Sequence, residues 1–155
     1  MRPVSPHLSA AALIVFLLDQ ATKFLVVQWL DLRLRGGIDV LPPWLNFRMA
    51  WNTGINFGLF SGQGARWILI AVAFAIVIAV LIWMRRERPG KWAEISAGVL
   101  VGGALGNVVD RLAYGAVADF INMSCCGIEN PFAFNVADVA IFAGAIGLVL
   151  FTGKK

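Results

Sequence analysis

From Trp67 to Met84 the chain runs for eighteen residues without a charged side chain. Such a run has no polar face to turn toward water, and it is long enough to cross a bilayer as a helix. A helix satisfies its backbone groups internally, whereas any other segment at that depth needs protein or a water-filled cavity around it. The rest of the chain is therefore read against a membrane. Hydrophobic residues make up 59% of the sequence and charged residues 14%, against about 25% charged in a soluble domain. That balance excludes disorder and leaves little soluble mass. The formal net charge of +4 is not a nucleic-acid signal, because the basic residues are scattered among apolar runs.

Four transmembrane helices are expected, at about 8–30, 66–84, 92–113 and 134–152, in a single integral membrane domain covering 1–155. The N-terminal run lacks a small-residue cleavage site and is read as a retained helix. Segments 31–65 and 114–133 are expected outside the cytoplasm and the loop at 85–91 inside it. Loop charge sets this orientation. Arg2, the RRERPGK loop and Lys154-Lys155 must lie on one face, and all three are basic, so both termini are cytoplasmic. Leu45, Phe47, Met49 and Trp51 alternate with Asn46, Arg48, Ala50 and Asn52, a period of two that predicts a short interfacial strand. Asn52-Thr53-Gly54 follows as a turn. Tyr114 to Pro131 reads as a mixed loop. Gly98, Gly102 and Gly106 recur every fourth residue, and Ala140, Gly144 and Gly147 supply small residues to the last span, so helix backbones can approach closely.

The polar residues inside these spans are the informative ones. Charges at membrane depth cost at least about 2.5–3.5 kcal/mol each. The predicted topology collects Asp19, Lys23, Asn107, Asp110, Arg111, Asp119, Asn135 and Asp138 in one outer layer. Asp19 and Lys23 lie four apart on one helical face in the favourable acid-before-base order. Gly103, Asn107, Asp110 and Arg111 share a face of the third span. Asp110 has Arg111 beside it as the natural ion-pair partner. Two carboxylates brought close share one proton, so one can activate a water while the other polarises a carbonyl. Spacing leaves Asp110, Asp119 and Asp138 as candidates for such a pair. Asp138, near a helix N-terminus, is the better placed to hold negative charge. Asn107 and Asn135 could orient the pair or serve as interhelical hydrogen-bonding groups. A proton-coupled transporter and a non-enzymatic membrane assembly protein are the competing readings. Cys125 and Cys126 are adjacent loop thiols, and the lone His7 is remote from them, so no metal site and no cofactor are expected.

Five stretches carry a resemblance: Asp19-Gln20-Ala21-Thr22-Lys23, Asn52-Thr53-Gly54-Ile55-Asn56-Phe57, Gly102 to Arg111 (GGALGNVVDR), Val117-Ala118-Asp119-Phe120, and Phe134-Asn135-Val136-Ala137-Asp138. In this order they resemble the successive motifs of the bacterial lipoprotein signal peptidases (signal peptidase II). The resemblance implies an all-α membrane protein of four transmembrane helices, with a small extracytoplasmic β-sheet cradle and a periplasmic loop or helix. It implies an intramembrane aspartic endopeptidase of the bacterial inner membrane. That enzyme cleaves diacylglyceryl-modified prolipoproteins just before the lipidated cysteine and is blocked by globomycin-type cyclic peptides. Asp119 and Asp138 match the family's catalytic aspartates. Asp19, Lys23, Asn52, Gly54, Asn107, Asp110, Arg111 and Asn135 match its supporting and substrate- or inhibitor-binding residues. Membrane lipid is an expected partner, nucleic acid is not, and the chain is expected to act as a monomer. Ile55 and Asn56 stand where the family usually has two small residues. Ser124 to Gly127 matches no family pattern and is expected in a loop over the site.

Overall fold

A computed structural model describes residues 4–54 and 63–153. Arg2, Ile55, Asn56, Phe57, Lys154 and Lys155 lie outside the described residues. Helix α1 (Pro6–Lys23) starts with proline in its first turn and runs on without a break as a π-helical segment, Phe24–Trp29. A four-residue helix α2 (Leu32–Arg35) and a hairpin of β1 (Gly37–Leu41) and β2 (Leu45–Asn52) follow. Then come α3 (Gln63–Glu87), α4 (Lys91–Tyr114), strand β3 (Val117–Asn122) and α5 (Val136–Thr152). Helices α1 with its extension, α3 and α4 are each long and apolar enough to span a membrane. Helix α5 is shorter, 17 residues and about 25 Å of rise, against a hydrocarbon layer of about 30 Å.

Helix α4 is the centre of the bundle. Of its most apolar window 67% is buried, against 22% for α1 and 17% for α3, whose outer faces carry exposed residues such as Leu17, Ile78 and Ile82. Lipid tails are as apolar as leucine, so no hydrophobic force separates the helices' inner and outer faces, and close backbone packing must hold the bundle together. The glycines provide it on two sides of α4. Gly98 and Gly102 lie against the Leu8 and Ala12 carbonyls of α1, and Gly106 against the Asp19 carboxylate. On the opposite side a Cβ at Gly103 would sit 2.6 Å from the Ala137 carbonyl, and one at Gly144 2.6 Å from the Leu100 amide. The predicted small-residue stripe is thus a two-sided contact, to α1 and to α5.

The sheet is antiparallel in the order β1-β2-β3. The alternating stretch is indeed a strand, and its Phe47 and Met49 pack with Val26, Val27, Leu32 and Phe120 in a small core beneath the sheet. Strand β3 replaces the loop expected from Tyr114 to Pro131. Its residues are buried on both faces, so it shows no alternation. Gly115, at φ +80, ends α4 and turns the chain directly into β3. At the end of β3, the Asn122 side chain donates to the Asn130 and Phe132 carbonyls at 2.7 and 2.8 Å and fastens the following loop to the sheet. Cys125 and Cys126 are free, exposed thiols in that loop, with their sulfurs 2.7 Å apart.

Gly103→Val drives a side chain into the Ala137 carbonyl at the start of α5. It is expected to cost about 1–3 kcal/mol or more, read as a lower unfolding midpoint in detergent.

Candidate active site

The site is built from residues that each element holds for a local reason. Asn135 caps α5: its Oδ1 accepts from the Asp138 amide at 2.9 Å, while the Asp138 carboxylate accepts from the Asn135 amide at 3.2 Å. This reciprocal box fixes Asp138 in the first turn of the helix, where the dipole favours an anion. Asp119 lies mid-strand on β3, opposite Ala50 of β2. The same Asn135 reaches it, donating from Nδ2 to Asp119 Oδ1 at 2.6 Å, and Asn52 at the end of β2 donates to Asp119 Oδ2 at 2.9 Å. One residue, Asn135, therefore donates hydrogen bonds to both carboxylates. Asp119 is buried and Asp138 half-buried.

Asn107 of α4 completes the frame around Asp138, donating to its Oδ1 at 2.9 Å. The Asn107 amide has its orientation set from behind. Its Oδ1 accepts from Lys23 Nζ and from Asn135 Nδ2, both at 3.2 Å, which leaves only the NH₂ group to face Asp138. Lys23 is itself buried and paired with two carboxylates, Asp19 at 2.7 Å and Asp110 at 2.8 Å. Those carboxylates hold backbone in turn: Asp19 accepts the Ala137 amide at 2.9 Å, and Asp110 the Ala118 amide at 3.1 Å.

The partner of Asp110 is thus Lys23 rather than Arg111. Neighbours in sequence point about 100° apart around a helix, so adjacency does not make a pair. Arg111 instead donates to the Asn107 carbonyl at 3.4 Å, and its charge acts on Asp138 and Asp119. It lies near Gly54, whose φ of +97 and close approach to Leu69 leave no room for a Cβ. Gly54 also closes the predicted turn, its amide donating to Asn52 Oδ1 at 2.8 Å. Two participants escaped the sequence reading. Gln20 donates to Asp19 at 3.1 Å, and Arg66 donates to the Leu112 carbonyl at 2.9 Å, joining the start of α3 to the end of α4. Gln20 sits between the acid and base of the first motif, and that position was its only signal. Among the described residues no group of three His, Cys, Asp or Glu side chains is placed to hold a metal ion.

The fold and this layer define a polytopic membrane protein with two hydrogen-bonded carboxylates gathered at one end of a helical bundle. The model of the signal peptidase (SPase) II family matches residues 11–153. The lipoprotein signal peptidase of Methylorubrum extorquens (strain PA1) is 43% identical over 142 residues, covering 90% of this chain and 81% of its own length. That of Rhodopseudomonas palustris (strain ATCC BAA-98 / CGA009) is 43% identical over 144 residues, covering 90% and 87%. Two solved structures of bacterial membrane enzymes, determined in meso at 2.3 and 1.9 Å, superpose with TM-scores of 0.76 and 0.78. They are 28% and 27% identical, and the alignments cover 91% of this chain in each case, with 84% and 88% of theirs. The chain belongs to the signal peptidase II family. It is a protease of a bacterial membrane, and the transporter and assembly-protein readings fall away.

Burial lifts the Asp119 carboxyl from its ordinary 3.8 to about 6; the charge of Asp138 adds to the rise, and the hydrogen bonds from Asn52 and Asn135 oppose it. The folded protein then binds this proton more tightly than the unfolded chain does. Its contribution to stability is complete below pH 3.8 and is lost as the pH rises through about 6. The stability difference between the native protein and Asp119→Asn, measured by denaturation in detergent, should fall across that window and be flat above it. Lys23→Met leaves two buried carboxylates unpaired and is expected to cost about 3–5 kcal/mol in the same assay.

Proposed function

We propose that Asp119 and Asp138 are the catalytic pair of an aspartic endopeptidase acting on diacylglyceryl-modified prolipoproteins, with the cut just N-terminal to the lipid-bearing cysteine. The observation that carries this reading is the shared donor: Asn135 hydrogen-bonds Asp119 through its side chain and Asp138 through its backbone. Two carboxylates held in one frame cannot both carry a full charge cheaply, so one proton lies between them. The elevated Asp119 favours Asp119 as its holder and Asp138 as the base. Asp138 takes a proton from water as the water oxygen attacks the scissile carbonyl carbon, and Asp119 gives its proton to the carbonyl oxygen. The tetrahedral intermediate collapses as one of its hydroxyls returns a proton to Asp119; the C–N bond breaks, and the proton held by Asp138 leaves with the amine of the cysteine.

A groove of about 350 Å³ supports access from the lipid side. It runs between Leu69, Val72 and Ile76 of α3 and Ala104 and Ile141 of α4 and α5, and it ends at Asn107 and Arg111. Its apolar walls suit a signal-peptide helix, and its polar end suits a peptide carbonyl. In this reading Asn52, Gly54 and Arg111 border the bound peptide, while Asp19, Lys23 and Asp110 hold the frame that positions Asn107. The arginines in the last turn of α3 and just after it (Arg85, Arg86 and Arg88) support a cytoplasmic position for that end, with the acid pair then at the outer face of the inner membrane. Globomycin-type peptides compete for the same groove. The polar layer is satisfied within one chain, which supports action as a monomer.

Asp119→Asn and Asp138→Asn should each lower cleavage of a diacylglyceryl prolipoprotein by at least about 10²–10⁴-fold, followed by mass spectrometry of the released product. Both variants should still insert and melt cooperatively. Turnover close to the native rate in either one would remove the assignment.

A further inference from the structure

A second cavity, of about 520 Å³, opens on the aqueous side of the site, between the β1–β2 hairpin and the loop that follows β3. It adjoins the acid pair through two lining residues: Ala50, which faces Asp119 across the sheet, and Ala133, two residues before the Asn135 cap. Its wall is built. Asn122 ties the loop through the Asn130 and Phe132 carbonyls, Ser124 Oγ accepts the Asn130 amide at 3.0 Å, and the Ser124 amide donates to the Pro43 carbonyl at 3.2 Å.

Two features define what this cavity would take. Asn46 is 7% exposed, and its Nδ2 donates to the Pro43 carbonyl at 3.3 Å, which leaves its Oδ1 as a buried acceptor without a partner. A buried acceptor of this kind is costly to leave unmade and calls for a hydrogen-bond donor, which a peptide N–H can supply. The charged groups lining the cavity are Asp39, Glu129 and Arg48, and Arg48 is spent on Asp39. The surplus carboxylate, Glu129, makes the cavity hostile to acidic side chains.

Resting on the functional reading above, we propose that this cavity binds the first residues of the mature chain, immediately after the modified cysteine. Asn46 Oδ1 accepts an N–H from that segment, and Glu129 selects against acidic residues in it. The signal helix lies on the lipid side of the acid pair, so the mature segment must leave on the aqueous side, where this cavity is the polar surface it meets.

The test uses diacylglyceryl peptides identical through the cysteine and carrying either Lys or Glu in the residues that follow. A third peptide stops directly after the cysteine. With the native protein, the Lys peptide should be cleaved with a kcat/KM at least about threefold above the Glu peptide, and Glu129→Gln should shrink that ratio toward one. Asn46→Leu should raise KM for the Lys peptide about three- to tenfold more than for the truncated one. Equal cleavage of the Lys and Glu peptides by the native protein would overturn the proposal, and that arm needs no variant to fold. An equal effect of Asn46→Leu on long and truncated peptides would also overturn it. If none of the three peptides is cleaved, the protease assignment itself has failed, and this proposal with it.

Discussion

One buried ammonium group organises the molecule. Lys23 projects from α1 into the bundle, and the two carboxylates it neutralises reach on to the other elements of the site. Asp19 holds the first turn of α5 through the Ala137 amide, and Asp110 holds the start of β3 through the Ala118 amide. These are the two elements that carry Asp138 and Asp119. A pair of charges in a low-dielectric layer is stabilising only when the remaining lone pairs and protons are also satisfied. Here the lysine's third contact, to Asn107, uses the last of its donors and at the same time fixes which end of that amide faces Asp138. Structural neutralisation and alignment of the site are the same set of bonds.

The glycines of α4 make this possible at the level of the backbone. Because Gly106 lacks a side chain, the Asp19 carboxylate can lie directly against α4, and because Gly103 lacks one, the α5 N-terminus can approach from the other side. The polar layer is therefore compressed between three helices. Short distances between buried groups strengthen each hydrogen bond, and burial also makes any missing partner expensive.

Much of this was legible in the sequence, for physical reasons that differ from element to element. The spans follow from uninterrupted apolar runs, and helix contact follows from glycines at fourfold spacing. Strand β2 showed itself through alternation, since one face packs on Val26, Val27 and Leu32. Strand β3 was hidden because both its faces are covered, which erases the period-two signal. Strand β1 is a five-residue edge that, among the described residues, pairs with β2 alone. The four motif acids were found by type, but the pairing of Asp110 with Lys23 joins residues far apart in the chain and leaves no local trace. Nor does Asn46, which occupies the polar phase of an alternating strand and is nonetheless buried.

The contrast between α3 and α4 bears on how the protein is made. Helix α3 has a mean hydropathy of 2.9 and sits at the bundle's edge, whereas α4 has only 1.3 and carries charge into the interior. A segment as weakly apolar as α4 gains little from lipid alone, since each buried ion sets back its partition into hydrocarbon. By the time it leaves the ribosome, however, α1 has already been synthesised, with Lys23 available for Asp110. Insertion of α4 is therefore a pairing event as much as a partitioning event. The translocation machinery must keep the first helix within reach until the third long one arrives.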